Sequence, residues 1–340
     1  MKIVTFGELM MRLTPPGYAR LTQARSFEVT FGGAEANVAV SLACMGEDAE
    51  FVSKIPANDI GQAAVNSLRA WGVGTAHLLR GGERLGTYYM ERGASQRPSK
   101  VVYDRAGSAV ALAKAAEFDW AKIFDGADWF HLTGITPALS VELANACEDA
   151  CRAAKRKGMT VSFDPNYRAK LWSVADAAKA MRRYLPYVDV LITNENQAAD
   201  LFGVRIPAGE VSGDDVTERG YLALAEGMKA LYPRLRYVAL TERRTFSAEV
   251  NSFCAKLYDG ENLYSSEKYR MEIVDRVGGG DAFAAGLIYA LRNGKNARDA
   301  VRFAAAAGCL KHTVEGDMNP ATVAEIEALA NGNATGRVQR

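Results

Sequence analysis

Asp275-Arg276-Val277-Gly278-Gly279-Gly280-Asp281-Ala282-Phe283-Ala284-Ala285-Gly286 is the stretch on which the fold turns. Three glycines open directly into a helical pattern of small and apolar residues. With no side chains in the way, successive backbone N–H groups can converge on an anion, and the helix N-terminus adds its dipole. Asp281 stands in the first turn of that helix, where like charge excludes it from holding a phosphate itself. A carboxylate there suits the acceptance of a proton from an attacking hydroxyl. Amides that cradle a transferring phosphoryl group are the other part that phosphoryl transfer needs. A glycine turn before an acidic helix-start residue is the plain alternative, competitive for three glycines alone. The full Asp-x-x-Gly-x-Gly-Asp pattern favours the chemistry.

Outward from this segment, short β-rich apolar runs alternate with helical patterns. Strands are expected at Lys2–Phe6, Ala49–Lys54, Trp129–Leu132, Thr160–Phe163, Val188–Ile192 and Tyr237–Leu240. Helices are expected at Ala34–Met45, Gly61–Trp71, Val141–Lys157, Val174–Tyr184, Asp215–Leu231, Asp281–Leu291 and Ala297–Lys311, with Asp59 and Asp214 as N-caps. Short apolar strands between helices imply a largely parallel sheet covered on both faces. Residues 13–31 and 84–104 break the rhythm with alternating Thr, Tyr, Val and Arg, and the second reads as a hairpin turning near Gly93-Ala94-Ser95. Together they form a small antiparallel sheet, either a lid over a cleft or an exposed pairing surface. Residues 331–340 read as a flexible tail.

The 340 residues carry 41 Lys+Arg against 40 Asp+Glu, a net charge of +1 that gives no global field for nucleic acid or an anionic membrane. Five scattered cysteines suit reduced thiols rather than a disulfide frame or metal site. The opening lacks the apolar run of a signal peptide and no apolar stretch spans a bilayer, so a cytoplasmic protein is expected. There is no G-x-x-x-x-G-K-[ST], and no G-x-G-x-x-G follows the first strand, which disfavours P-loop and dinucleotide enzymes.

The glycine-rich segment resembles the C-terminal signature of the ribokinase-like (PfkB) carbohydrate kinase family, D-T-x-G-A-G-D. Its Arg276 in place of threonine is similar to the form used by the family's 2-keto-3-deoxygluconate kinases. Phe31-Gly32-Gly33-Ala34-Glu35-Ala36-Asn37-Val38-Ala39 resembles the N-terminal G-G-x-x-x-N-x-A signature, although alone it is as readily a tight packing turn. Two signatures in the expected order make chance agreement poor.

The resemblance implies a three-layer α/β/α domain over residues 1–330 with a mostly parallel sheet and a small β-sheet lid. It implies ATP-dependent phosphorylation of the C6 hydroxyl of 2-keto-3-deoxy-D-gluconate, with Gly278, Gly279 and Gly280 as anion hole and Asp281 as base. Fructokinase and a non-catalytic sugar- or nucleotide-binding regulator are the alternatives. Sugar contacts are expected from Gly32, Gly33, Asn37, Tyr89, Tyr103, Arg105, Arg168 and Asp317. Arginine offers a fork for a carboxylate and tyrosine a stacking face and a hydroxyl, whereas a lone arginine is usually a solvated charge.

Nucleotide contacts are expected from Asp164, Asn166, Asn194, Thr241, Arg243, Gly278 and Gly280, with the adenine against Ala304–His312. Thr241 and Arg243 read equally as a charged turn, and His312 as structural or solvated. Where the family carries N-x-x-E for Mg²⁺, this chain has Asn194-Glu195-Asn196-Gln197, which leaves Glu195 as a weak metal candidate. A monovalent cation near Asp275 and a homo-oligomer through the lid complete the expectations.

Overall fold

Alternation along the first strand already dictates a sheet with two buried faces. In Lys2–Phe6, Ile3 joins one core cluster while Val4 and Phe6 join another, all without exposed surface. The same split recurs in Val190–Thr193, where Leu191 lies opposite Val190 and Ile192. The computed structural model describes residues 1–212, 215–333 and 336, and its main sheet has ten strands among these. From one edge the order is Leu263–Ser265, Val250–Tyr258, Tyr237–Thr245, Val190–Thr193, Thr160–Asp164, Ala127–Thr133, Lys2–Phe6, Ala49–Ile55 and Leu78–Arg80. Tyr269–Glu272 pairs beside Val250–Tyr258.

Neighbours from Tyr237–Thr245 to Leu78–Arg80 are parallel, and the far edge is antiparallel. Helices Ala34–Cys44, Gly279–Arg292 and Ala297–Lys311 cover one face; Val141–Arg156, Val174–Tyr184 and Glu218–Leu231 cover the other. This is the expected three-layer α/β/α arrangement.

The differences from expectation have local causes. The strand opening at Tyr237 runs on to Thr245, because Val250–Tyr258 pairs with it over its length. Thr241 and Arg243 therefore belong to a strand, not to a charged turn. Asn58 accepts from Gly61 N and caps a helix at Asp59–Arg69, so Asp59 lies inside it. Thr217 caps Glu218–Leu231, and Asp214 lies outside the described residues. So does most of the expected tail beyond Asn333. Among the described residues no helix is long and apolar enough to cross a membrane.

The second sheet holds Glu28–Gly32, Met10–Thr14, Gly86–Glu91 and Lys100–Asp104 in that order. Its outer pairs are antiparallel, but the central pair is parallel, so it is a mixed sheet. The register aligns Thr30, Arg12, Tyr88 and Tyr103 in one row across all four strands. One residue along, Val29, Leu13, Tyr89 and Val102 form a row on the opposite face, since successive side chains alternate. Val29 and Val102 are exposed.

Candidate active site

A cavity of about 730 Å³ opens at the C-terminal ends of the parallel strands, where open α/β sheets place their ligands. It is lined by Gly278, Gly279, Gly280 and Asp281. The helix here begins earlier than the pattern suggested, at Gly279, with Gly278 as its N-cap. Gly279, Gly280 and Asp281 thus form a first turn, whose N–H groups have no intrahelical acceptor and carry the positive end of the helix dipole. Gly278 has φ +86°, and a Cβ on it would stand 1.9 Å from the Asp317 carbonyl oxygen. A Cβ on Gly280 would meet nothing, which leaves its amide open to a ligand.

Burial pushes the Asp281 carboxyl up to about 7, assisted by nearby Asp164 and Asp317 and opposed by a hydrogen bond from Asn37 and by the charge of Arg168. That bond runs from Asn37 Nδ2 to Asp281 Oδ2 at 2.7 Å, while Asn37 Oδ1 accepts from Gly33 N at 3.3 Å. The Gly33 contact fixes which way the Asn37 amide points. Gly33 itself must lack a side chain, since a Cβ would lie 1.9 Å from the Glu8 carbonyl oxygen. Glu35, on the same helix as Asn37, accepts from Thr133 N, Thr133 Oγ1 and Thr136 Oγ1 at 2.7 to 3.0 Å. These bonds lock the helix start onto the end of the Ala127–Thr133 strand.

Of the expected sugar contacts, Gly33, Asn37, Tyr103, Arg105, Arg168 and Asp317 line the cavity. Tyr89 does not. It sits on the far face of the small sheet with its ring 5.8 Å from that of Phe27, and Tyr88 takes the inward place. Gly32 does not line it either; a Cβ there would stand 2.3 Å from Asp317 Oδ2, so this glycine makes room for that carboxylate.

Two further contacts are already engaged. Arg105 gives its Nε to Glu8 Oε2 at 2.8 Å and its Nη2 to the same oxygen, and its guanidinium lies 5.3 Å from the Tyr103 ring. Asp317 accepts from Arg12 and Tyr88. Arg168 is exposed, and among the described residues the one hydrogen bond of its guanidinium goes to the Tyr167 carbonyl.

Asp164, Asn166, Asn194, Thr241 and Arg243 all line the cavity, and so does Arg276. Along the Tyr237–Thr245 strand, Thr241, Arg243 and Thr245 face inward at alternate positions. Neither Arg243 nor Arg276 has a carboxylate partner among the described residues. Burial lowers both guanidinium pKa values, that of Arg243 to about 10, and for Arg243 the neighbouring Arg276 adds to the effect. Arg243 stays charged at neutral pH, and neither arginine has a counter-anion among the described residues.

Asn166 has φ +41°, uncommon for a residue with a side chain, and donates its N–H to Asp164 Oδ1 at 2.8 Å. Asn194 Oδ1 caps the Glu195–Phe202 helix by accepting from Gln197 N, and Gln197 Oε1 accepts from Thr193 Oγ1. Glu195 Oε2 is buried without a hydrogen-bond partner in a residue that lines the cavity. No residue of Ala304–His312, where the adenine was expected, lines this cavity, and Ala304–Ala307 and Cys309 pack in the core. His312 is buried, with Nδ1 2.6 Å from the Gly308 carbonyl oxygen, and a Cβ on Gly279 would strike its ring.

Sequence reasoning missed Arg12, Glu8, Glu35 and Tyr88. Arg12 is the central one: a strand residue with 1% exposure whose guanidinium reaches Asp275 Oδ2 and Asp317 Oδ1 at 2.5 Å each. Its signal was parity, since it falls on the same face as Met10, which lines the cavity.

Known proteins fit this geometry. The 2-dehydro-3-deoxygalactonokinase of Haloferax volcanii is 34% identical over 335 residues, covering 98% of both chains. The 2-dehydro-3-deoxygluconokinase of Bacillus subtilis is 30% identical, covering 93% of this chain and 91% of its own. A crystal structure of 2-dehydro-3-deoxygluconokinase from Thermotoga maritima superposes with a TM-score of 0.93 at 48% identity, over 98% of this chain and all of that one. The model of the pfkB family carbohydrate kinases matches residues 1–324. With the glycine turn, the half-buried carboxyl and the sheet order already in place, the chain belongs to this family of sugar-phosphorylating enzymes.

Proposed function

We propose that the chain transfers the γ-phosphoryl group of ATP to the C6 hydroxyl of 2-keto-3-deoxy-D-gluconate, giving 2-keto-3-deoxy-6-phosphogluconate and ADP. The observation that carries this is Asp281: a carboxyl raised to about 7, held by Asn37, in the same helix turn as the open amides of Gly279 and Gly280. Asp281 aligns the hydroxyl and takes its proton as the new O–P bond forms and the bond to the ADP oxygen breaks. The first-turn amides receive the charge on the transferring group, and alignment counts for more than basicity in a loose transition state.

Arg243 and Arg276, without counter-anions, suit the ATP phosphates, with Thr241, Asp164, Asn166 and Asn194 around them. Among the described residues there is no cluster of three or more metal-ligating side chains, which fits Mg²⁺ carried largely by phosphate and water. The unpartnered Glu195 Oε2, with Asn194 beside it, would hold that ion's water shell. When bound, the ion neutralises phosphate charge.

Arg168 is the guanidinium free for the sugar carboxylate, with Tyr103 and the remaining edge of Arg105 beside it. Relatives named for 2-dehydro-3-deoxy sugar acids support an acid over a neutral sugar. The small sheet acts as a lid, closing the Tyr88 face over the sugar to exclude water. Its outward row of Val29, Leu13, Tyr89 and Val102 is the surface through which a second copy pairs.

Six outcomes test these assignments. Asp281→Asn should lower kcat on the order of a hundred-fold or more with modest change in KM, and near-normal turnover would remove Asp281 as base. The base works only when deprotonated, so kcat/KM for the sugar should fall as pH drops through about 7. In Asn37→Ala the carboxylate loses a stabilising donor, and that limb should move to higher pH; a limb that stays put would detach Asn37 from the base.

A coupled assay with 2-keto-3-deoxygluconate, 2-keto-3-deoxygalactonate, fructose and ribose should favour the sugar acids. Arg168→Ala should raise the sugar-acid KM about ten- to a hundred-fold, as for a lost charge-assisted hydrogen bond, and leave that of ATP unchanged. A preference for fructose would make the protein a fructokinase. Sedimentation should show wild type as a dimer or larger and Val29→Glu/Val102→Glu as smaller; a monomeric wild type at micromolar concentration would refute pairing through the lid.

A further inference from the structure

Lys311 closes the Ala297–Lys311 helix with no exposed surface. A lysine without exposed surface is rare, because an ammonium loses its hydration on burial. Its Nζ donates to two backbone carbonyl oxygens, that of Asp275 at 3.2 Å and that of Val314 at 3.3 Å. These carbonyls come from the two segments that meet under the anion hole.

The first segment leads from Asp275 into Gly278. The second, residues 312–317, returns past it: His312 O accepts from Val274 N at 2.8 Å, and Gly316 N donates to Asp275 Oδ2 at 3.2 Å. Asp317 O packs where a Gly278 side chain would stand. Main-chain carbonyls turned onto one buried positive charge are what a bound alkali cation would have.

We propose that the Lys311 ammonium is a built-in substitute for a monovalent cation, a positioning group that holds the Asp275–Gly278 turn in the geometry the anion hole needs. This rests on the kinase reading of the site but not on which sugar is phosphorylated. The charges around it are balanced for the role. Asp275, Asp317 and Asp281 favour the ammonium and Arg12 opposes it, while burial lowers its pKa to about 8, so it is charged at neutral pH. The expectation of a free cation beside Asp275 is thereby replaced. The Asp275 carboxylate is occupied by Arg12, Val277 N and Gly316 N, and its carbonyl by Lys311.

The test measures turnover, on the panel sugar that wild type phosphorylates fastest, in a tetramethylammonium buffer with sodium, potassium or ammonium ions added at constant ionic strength. Wild type should be insensitive to these additions. Lys311→Ala, which leaves both the charge and the space vacant, should lose kcat on the order of ten- to a hundred-fold with little change in sugar KM, as expected when catalytic groups are misplaced. Ammonium or potassium should restore most of it. Lys311→Met, which fills the space without charge, should lose as much and not be restored.

Wild-type turnover that rises several-fold with potassium would overturn the proposal, and that measurement stands even if the variants do not fold. A folded Lys311→Ala with normal kcat, or with a loss that no small cation repairs, would also overturn it. An incorrect sugar assignment would instead show as a different ranking across the panel, with the cation response unaffected.

Discussion

Arg12 joins three parts of the chain that are far apart in sequence. From the second strand of the protein, its guanidinium spans Asp275, which begins the glycine turn, and Asp317, which follows the last core helix but one. Nε also donates to Thr14 Oγ1 at 2.9 Å, and Tyr88 on the neighbouring strand shares the Asp317 carboxylate. Buried pairs of this kind add little net stability, but losing one partner strands a charge and costs about 3–5 kcal/mol. The geometry therefore tolerates no slippage. A small sheet that by itself would be a marginal appendage is held in one register against the anion hole, so its inward row of Arg12, Tyr88 and Tyr103 is set relative to Asp281.

The same arrangement explains why so much glycine lies here. Gly32 makes room for the Asp317 carboxylate, Gly278 for the Asp317 main chain, Gly279 for the His312 ring, and Gly33 for the Glu8 main chain. Each permits a close approach that carries a polar group to its place. Gly280 alone among these five has empty space around it, so packing does not require its missing side chain. A turn that looks flexible in sequence is in fact over-determined by its neighbours. Catalytic electrostatics require such rigidity, because donors fixed before the reaction need no reorganisation during it.

The layers of the fold were legible from the sequence because parallel strands are short apolar runs between amphipathic helices. The glycine turn opening a helix with Asp281 in its first turn was legible, because few other patterns leave several amides free beside a carboxylate. What failed to show was long-range pairing. Thr241 and Arg243 read equally as phosphate contacts or as a charged turn, because nothing local announces that Val250–Tyr258, across a hairpin, will extend the strand. Tyr89 was preferred to Tyr88 although adjacent strand residues must face opposite ways, and parity alone cannot say which face is inward. Arg12 and Lys311 were invisible for a different reason. An isolated basic residue is normally solvated, and only tertiary structure reveals carboxylates 263 and 305 residues away in sequence, or carbonyls from two converging loops.

The arginines sort the ligands. Four line the cavity, and Arg105 is neutralised within the protein by Glu8. Arg243 is partly withdrawn from water, and the neighbouring Arg276, itself exposed, further lowers its affinity for a proton. Two cations side by side favour a polyanion between them, which the triphosphate of the proposed ATP would supply. Arg168, like Arg276, is exposed and solvated, so its unpaired state carries no penalty and does not by itself demand an anion. Under the proposed function, the half-buried Arg243 is the cation that gains most from a bound phosphate, whereas Arg168 would offer the sugar an available fork beside Tyr103.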